Sequence, residues 1–213
     1  MSIAILRAAA VLYAASAVLY VGWFARPRHV RLATAGFWSL AAAFVVHAAA
    51  IGTGCKELGG TEFFSLRGGL LLGAWLAAGA YLLLHRAYKA PALGAFVVPL
   101  LLVVIIPSTL IDPAQPDVAP EVVRHAAFHV VVAILAVALF TIACGAALMY
   151  LLQEREVKGK RFGALFSRLP SLDSLDRLNQ RLVRAGFVAF TVALLAGTLN
   201  AAVLWKSAWF WDL

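Results

Sequence analysis

From Phe128 to Leu152 the chain reads FHVVVAILAVALFTIACGAALMYLL, a run with no Asp, Glu, Lys or Arg. An α-helix of that length covers about 37 Å, and the hydrocarbon of a bilayer is about 30 Å thick. The apolar residues are continuous, whereas a barrel strand alternates apolar with polar. The stretch therefore predicts a membrane-spanning helix. Comparable runs at 3–24, 32–52, 63–84, 92–111 and 185–205 make six spans in all.

The composition agrees. Of the 213 residues 63% are hydrophobic and 13% charged, with a mean hydropathy of +0.90, while a soluble domain is about a quarter charged. An ordinary soluble globule is excluded. The expected architecture is all-α: residues 1–213 form a single integral membrane domain, a bundle of six transmembrane helices with one amphipathic helix on the inner surface.

The net charge of +8 suggests nucleic acid until the cations are placed. Thirteen of the eighteen lie between spans one and two (Arg26, Arg28, Arg31), three and four (Arg86, Lys89), and five and six (Arg155, Lys158, Lys160, Arg161, Arg168, Arg177, Arg181, Arg184). Arg7, Lys56, Arg67, Arg124 and Lys206 fall toward the opposite ends of the spans. The crowded side is cytoplasmic by the positive-inside rule, so both termini face outward. The excess charge marks orientation in a membrane, and the partners it implies are lipids and not nucleic acid. No charged segment with a small-residue cleavage site precedes the first span, which is read as a retained helix.

The long inner loop has its own pattern. Pro170 and Ser171 precede Leu172, Leu175, Leu178 and Leu182, with Asp173 and Asp176 early and Arg181 and Arg184 late. Ser171 suits an N-cap, the charges suit the helix dipole, and the leucines share one face. An amphipathic helix over about 171–184, lying on the inner membrane surface, is expected; docking of a cytosolic partner is the other use of such a helix.

Cys55 and Cys144 belong to no C-x-x-C or C-x-x-C-H pattern, so the chain is neither a thioredoxin-like reductase nor itself a c-type cytochrome. Gly68, Gly69, Gly73 and Gly79 read as sites of close helix approach, and Pro99 and Pro107 as bends in the fourth span. Phosphate-binding glycine loops, H-E-x-x-H and G-x-S-x-G are missing. No charged pair near the bilayer midplane argues for a solute transporter.

The informative polar residues gather toward the outer ends of the spans. His47 lies in the second span, Arg67 one turn into the third, His129 opens the fifth with His125 one helical turn earlier, and Trp205, Lys206, Trp209, Trp211 and Asp212 close the sixth. A single interfacial histidine is ordinarily solvated, and terminal tryptophans ordinarily form an aromatic belt. Together on one face they suit a macrocycle: imidazole ligates iron and indoles pack on a porphyrin. Arg67, Arg124 and Lys206 suit carboxylates such as haem propionates. His29 and His85, among arginines, read as interfacial.

This order of features resembles the cytochrome c assembly protein family, the membrane haem-handling proteins of the CcsA and CcmC type with their HemX-like and YpjD-like relatives. The likeness runs from His125-Ala126-Ala127-Phe128-His129-Val130 through Leu169-Pro170-Ser171-Leu172-Asp173-Ser174-Leu175-Asp176-Arg177-Leu178 and Arg184-Ala185-Gly186-Phe187 to Trp209-Phe210-Trp211-Asp212. It is close over about the last 90 residues; earlier residues match in topology and in the placement of His47.

The resemblance implies that His129 is the external histidine able to ligate haem iron, and that Trp209, Trp211 and Asp212 begin a haem-presenting segment. A b-type haem would be held transiently at the outer face and its vinyl groups offered to the reduced thiols of an apocytochrome c, with other maturation subunits as partners. The protein would then be a haem chaperone or a subunit of a synthase system more than a self-contained enzyme. The alternative is a HemX-like regulatory or scaffolding protein acting through its basic cytoplasmic loop. The family pattern continues past W-x-W-D into further tryptophans, a second external histidine and another helix. The resemblance therefore implies either a longer chain or a second axial ligand drawn from His47, His125 or a partner. Two imidazoles at i and i+4 cannot oppose one another across one haem, which favours His47 as the metal ligand paired with His129.

Overall fold

A computed structural model describes residues 2–26, 28–58, 61–88, 91–112, 120–160, 166 and 168–205. They form six α-helices: α1 (Ser2–Ala25), α2 (Val30–Leu58), α3 (Leu66–Tyr88), α4 (Pro91–Ser108), α5 (Pro120–Lys158) and α6 (Leu172–Trp205). A short 3-10 turn, Thr61–Phe64, precedes α3. All six are long and apolar enough to cross a membrane, and no strand occurs among the described residues. The chain is a multi-pass membrane protein. Its described helix ends define two faces: a terminal end, bearing the start of α1 and the finish of α6, and a basic end, bearing the α1–α2, α3–α4 and α5–α6 connections.

Local chemistry sets the helix limits. Pro91 and Pro120 open α4 and α5, where a missing N–H costs nothing. Pro99 is carried inside α4, and Pro107 stands one residue before its end. α5 finishes at Lys158 and is followed by Gly159 and by Lys160, which has a positive φ of 52°, a conformation that stops a helix. Ser171 caps α6 as expected: the Ser174 amide donates to its Oγ at 3.3 Å and the Leu175 amide to its carbonyl at 3.0 Å.

The helices pack as two hairpins around a central pair. α1 lies along α2 and against α4, α3 contacts α2, α4 and α5, and α6 packs on α5. The core is built from Tyr13, Tyr20, Tyr81, Leu93, Val97, Leu101, Ile142 and Met149 set among alanines such as Ala43, Ala74, Ala78 and Ala146. Lipid tails are as apolar as leucine, so small residues that bring backbones together matter more here than area alone. A Cβ on Gly94 of α4 would stand 2.4 Å from the Tyr81 hydroxyl, and one on Gly79 of α3 would stand 2.9 Å from Phe44 of α2. Gly69, by contrast, meets nothing within 4 Å; it opens onto a cleft.

The inner amphipathic segment differs from the expectation. It is no separate helix, because residues 172–205 form one continuous helix. Leu175, Leu178 and Leu182 are buried in the same core as Met149, Leu169 and Leu152. The physical reason is that α5 itself runs on to Lys158. A helix of 39 residues is about 58 Å long, far more than the hydrocarbon, so its basic end offers an apolar stripe to the leucines of α6. Over this length α5 and α6 form a paired basic segment, the stalk, whose leucines share the bundle's core. Arg168 ties the stalk to the first hairpin, its guanidinium donating to the Phe24 carbonyl at 2.5 Å, one of the acceptors left open at the end of α1.

Candidate functional site

His129 projects from α5 onto α6. Its Nδ1 lies 2.6 Å from the Ala193 carbonyl, and a carbonyl only accepts, so Nδ1 carries the proton and donates. In a neutral imidazole Nε2 is then the lone-pair nitrogen. Nε2 makes no hydrogen bond among the described residues. The ring is half-buried, and it lies over Gly197, where a Cβ would stand 2.7 Å from Cε1.

His47 sits in α2 at 0% exposure, against Tyr13 of α1. The two rings meet edge to face at 5.8 Å, and the Tyr13 hydroxyl lies 3.3 Å from Nδ1. Nε2 of His47 is buried without a partner. Counting 1.5 Å per residue, His47 lies about 16 Å from the terminal end of α2 and His129 about 14 Å from that of α5. Their neighbours differ. α2 packs chiefly on α1 and α3, and α5 on α6, α3 and α4, so the two histidines occupy different helix pairs with α3 between them.

Arg67, in the first turn of α3, is 3% exposed. Its Nη1 is engaged by the Glu62 carboxylate and its Nε donates to the Ser108 carbonyl of α4 at 3.1 Å. A buried guanidinium needs such partners. Glu62 was not singled out in the sequence, although a lone carboxylate five residues before a lone arginine in an apolar run is a signal for such a pair. Two glycines make room for it: a Cβ on Gly68 would stand 2.0 Å from the Glu62 carbonyl and one on Gly54 2.5 Å from its carboxylate. The 3-10 turn that carries Glu62 touches α2, α3 and α5, so it joins the helices that bear both histidines. The side chain of Arg124, and all of Lys206, Trp209, Trp211 and Asp212, lie outside the described residues.

Between α3 and α5 runs an apolar cleft of about 340 Å³. Gly69, Gly73 and Ala77 form one wall and Ala133, Ile134 and Val137 the other, with Phe190 of α6 at its side. His129 is not one of its lining residues: Ala133 and Val137 are one and two turns along α5, while the His129 ring faces α6.

No group of three or more His, Cys, Asp or Glu able to cage an ion occurs among the described residues. Haem makes a smaller demand. It brings four nitrogens of its own and asks the protein for one or two axial ligands and apolar walls. A half-buried imidazole with Nδ1 engaged and Nε2 free meets that demand.

Six membrane spans, with no strand among the described residues, define the class: a helical multi-pass membrane protein. Residues 64–213 match the model of the cytochrome C assembly protein family, and the chain belongs to that family, whose work is the biogenesis of c-type cytochromes. It is similar to Protein HemX of Brevibacillus brevis, at 28% identity over 199 residues, covering 88% of this chain and 70% of the relative. No solved structure matches.

Proposed function

We propose that the protein binds a b-type haem transiently at the terminal end of the bundle, which faces outward from a bacterial cytoplasmic membrane, and presents it to an apocytochrome c. The observation that carries this reading is the His129 imidazole, turned by its Ala193 hydrogen bond so that Nε2 is available to iron. The unpartnered Nε2 of His47 is the second candidate axial nitrogen. Because α3 separates it from His129, the two assignments are tested separately. Arg124 is assigned to the propionates; Arg67 could join it only by leaving Glu62. Trp209, Trp211 and Asp212 complete the proposed site beside the porphyrin. The haem supplies the vinyl carbons that cytochrome thiols take up. The protein's own residues orient the macrocycle and keep water from one of its faces. Other maturation subunits and a source of reduced thiols are the expected partners.

The test is spectroscopic. Protein purified in mild detergent and supplied with haemin should show a Soret band and sharp reduced-state bands that His129→Ala abolishes. An intact protein with no haem band overturns the proposal.

A second reading is favoured by the stalk. Arg155, Arg177 and Arg184 are exposed on it, and Arg177 is held by Asp173 one turn away. A regulatory or scaffolding role would use this basic surface to hold another protein at the membrane. Crosslinking from position 184 to a defined partner, in a protein that takes no haem, would decide for it.

A further inference from the structure

We infer that Gly197 and the Ala193 carbonyl of α6 form the seat that positions His129 as a ligand, holding its imidazole in the tautomer whose Nε2 lone pair is free; this rests on the haem-binding reading above. Gly197 lies inside a regular helix, where alanine is the better helix former. Its backbone has no left-handed φ to explain a glycine. The explanation is the neighbour. A Cβ at this position would stand 2.7 Å from Cε1, 2.8 Å from Nδ1 and 3.4 Å from Nε2 of His129, and the first two separations are closer than real carbon contacts allow. The imidazole thus fills the space that only glycine leaves.

The acceptor is built into the same turn. Ala193 stands four residues before Gly197, so helix geometry already pairs its carbonyl with the Gly197 amide. A carbonyl oxygen has a second lone pair, and with no side chain at 197 the Nδ1–H reaches it at 2.6 Å. Ligating histidines commonly donate their other N–H in this way, and loss of such an outer contact lowers metal affinity about 10- to 100-fold. Gly197 touches no ligand itself. It is a positioning residue that acts through His129, and it makes α6 part of the site.

The experiment uses full-length protein in detergent, labelled with ¹⁵N-histidine and free of haem, at about pH 8, where an ordinary imidazole is neutral. The His129 signals, identified by their loss in His129→Ala, should report the Nδ1–H tautomer. Gly197→Ala should shift them toward Nε2–H and weaken haemin binding by about 10- to 100-fold. An Nε2–H tautomer in the unsubstituted protein, or a Gly197→Ala protein unchanged in both tautomer and haemin affinity, overturns the inference. Should unsubstituted protein bind no haemin, the proposed function fails while the tautomer measurement still decides the seat. If Gly197→Ala does not fold, the ¹³C carbonyl signal of Ala193 replaces it: His129→Ala should move that signal, and an unmoved signal overturns the seat.

Discussion

Arg67 and Glu62 form an ion pair whose side chains are 3% and 7% exposed, at the point where α2, α3 and the 3-10 turn meet. Removing one partner leaves the other charge buried and alone, which costs about 3–5 kcal/mol. Glu62→Gln and Arg67→Met should each lower the thermal unfolding midpoint in detergent strongly, whereas the double variant should recover much of the loss. Equal destabilisation by the single and double variants would show that the pair does not act as a pair. High salt should barely change the unsubstituted protein, because screening reaches buried pairs poorly.

The Tyr13 hydroxyl and His47 are hydrogen-bonded where neither has any exposure. Tyr13→Phe should cost about 1–3 kcal/mol, because it strands the His47 nitrogen in an apolar setting. Tyr13→Phe combined with His47→Leu should be milder in haem-free protein, since both polar partners then go. A His47→Leu protein that keeps its stability but changes its haem spectrum would support His47 as an axial ligand; an unchanged spectrum would remove it from the site.

Leu175 is 1% exposed although it lies outside the apolar run of span six. If α6 continues as a stalk against α5, Leu175→Ala should destabilise by about 2–5 kcal/mol, the range for large-to-small core changes. A helix lying on the membrane surface would lose far less. Spin labels at Gln180 should be reached by water-soluble relaxation agents and not by oxygen dissolved in lipid.

Arg168 donates to the carbonyl of Phe24 across 144 positions of sequence. Hydrogen bonds to charged groups are worth about 1.5–3 kcal/mol, so Arg168→Ala should loosen the connection between α5 and α6. Limited proteolysis should then cut between 159 and 171 faster than in unsubstituted protein, and Arg168→Lys should restore part of the protection. Equal cutting rates in all three proteins would refute the tie.

The six spans were legible because crossing hydrocarbon imposes length and hydrophobicity on each segment by itself. All six predicted runs correspond to observed helices, from 3–24 within α1 to 185–205 within α6. The Ser171 cap was legible for the same reason, being a contact among near neighbours. Family membership was legible in the linear motifs, chiefly the inner-loop leucines and acids in combination with W-x-W-D, which a match over residues 64–213 covers. The leucines of 172–184 show an amphipathic segment, which the structure makes the start of α6, but a stripe of leucines does not say which apolar surface covers it. That surface was the overlong end of α5.

What the sequence by itself determined is therefore the membrane class, the number of helices, the family and the polar residues worth following. Tertiary structure alone decided which of those residues meet. His129 and Gly197 are 68 positions apart and touch because α5 and α6 pair along their length. His47 and His129 belong to different helix pairs, and Arg67 finds Glu62 in a niche made by Gly54 and Gly68. Hydrophobicity is a property of each segment and can be read one helix at a time. A hydrogen bond, a buried ion pair or a free ring nitrogen depends on which faces turn toward each other, and packing between helices sets that rotation.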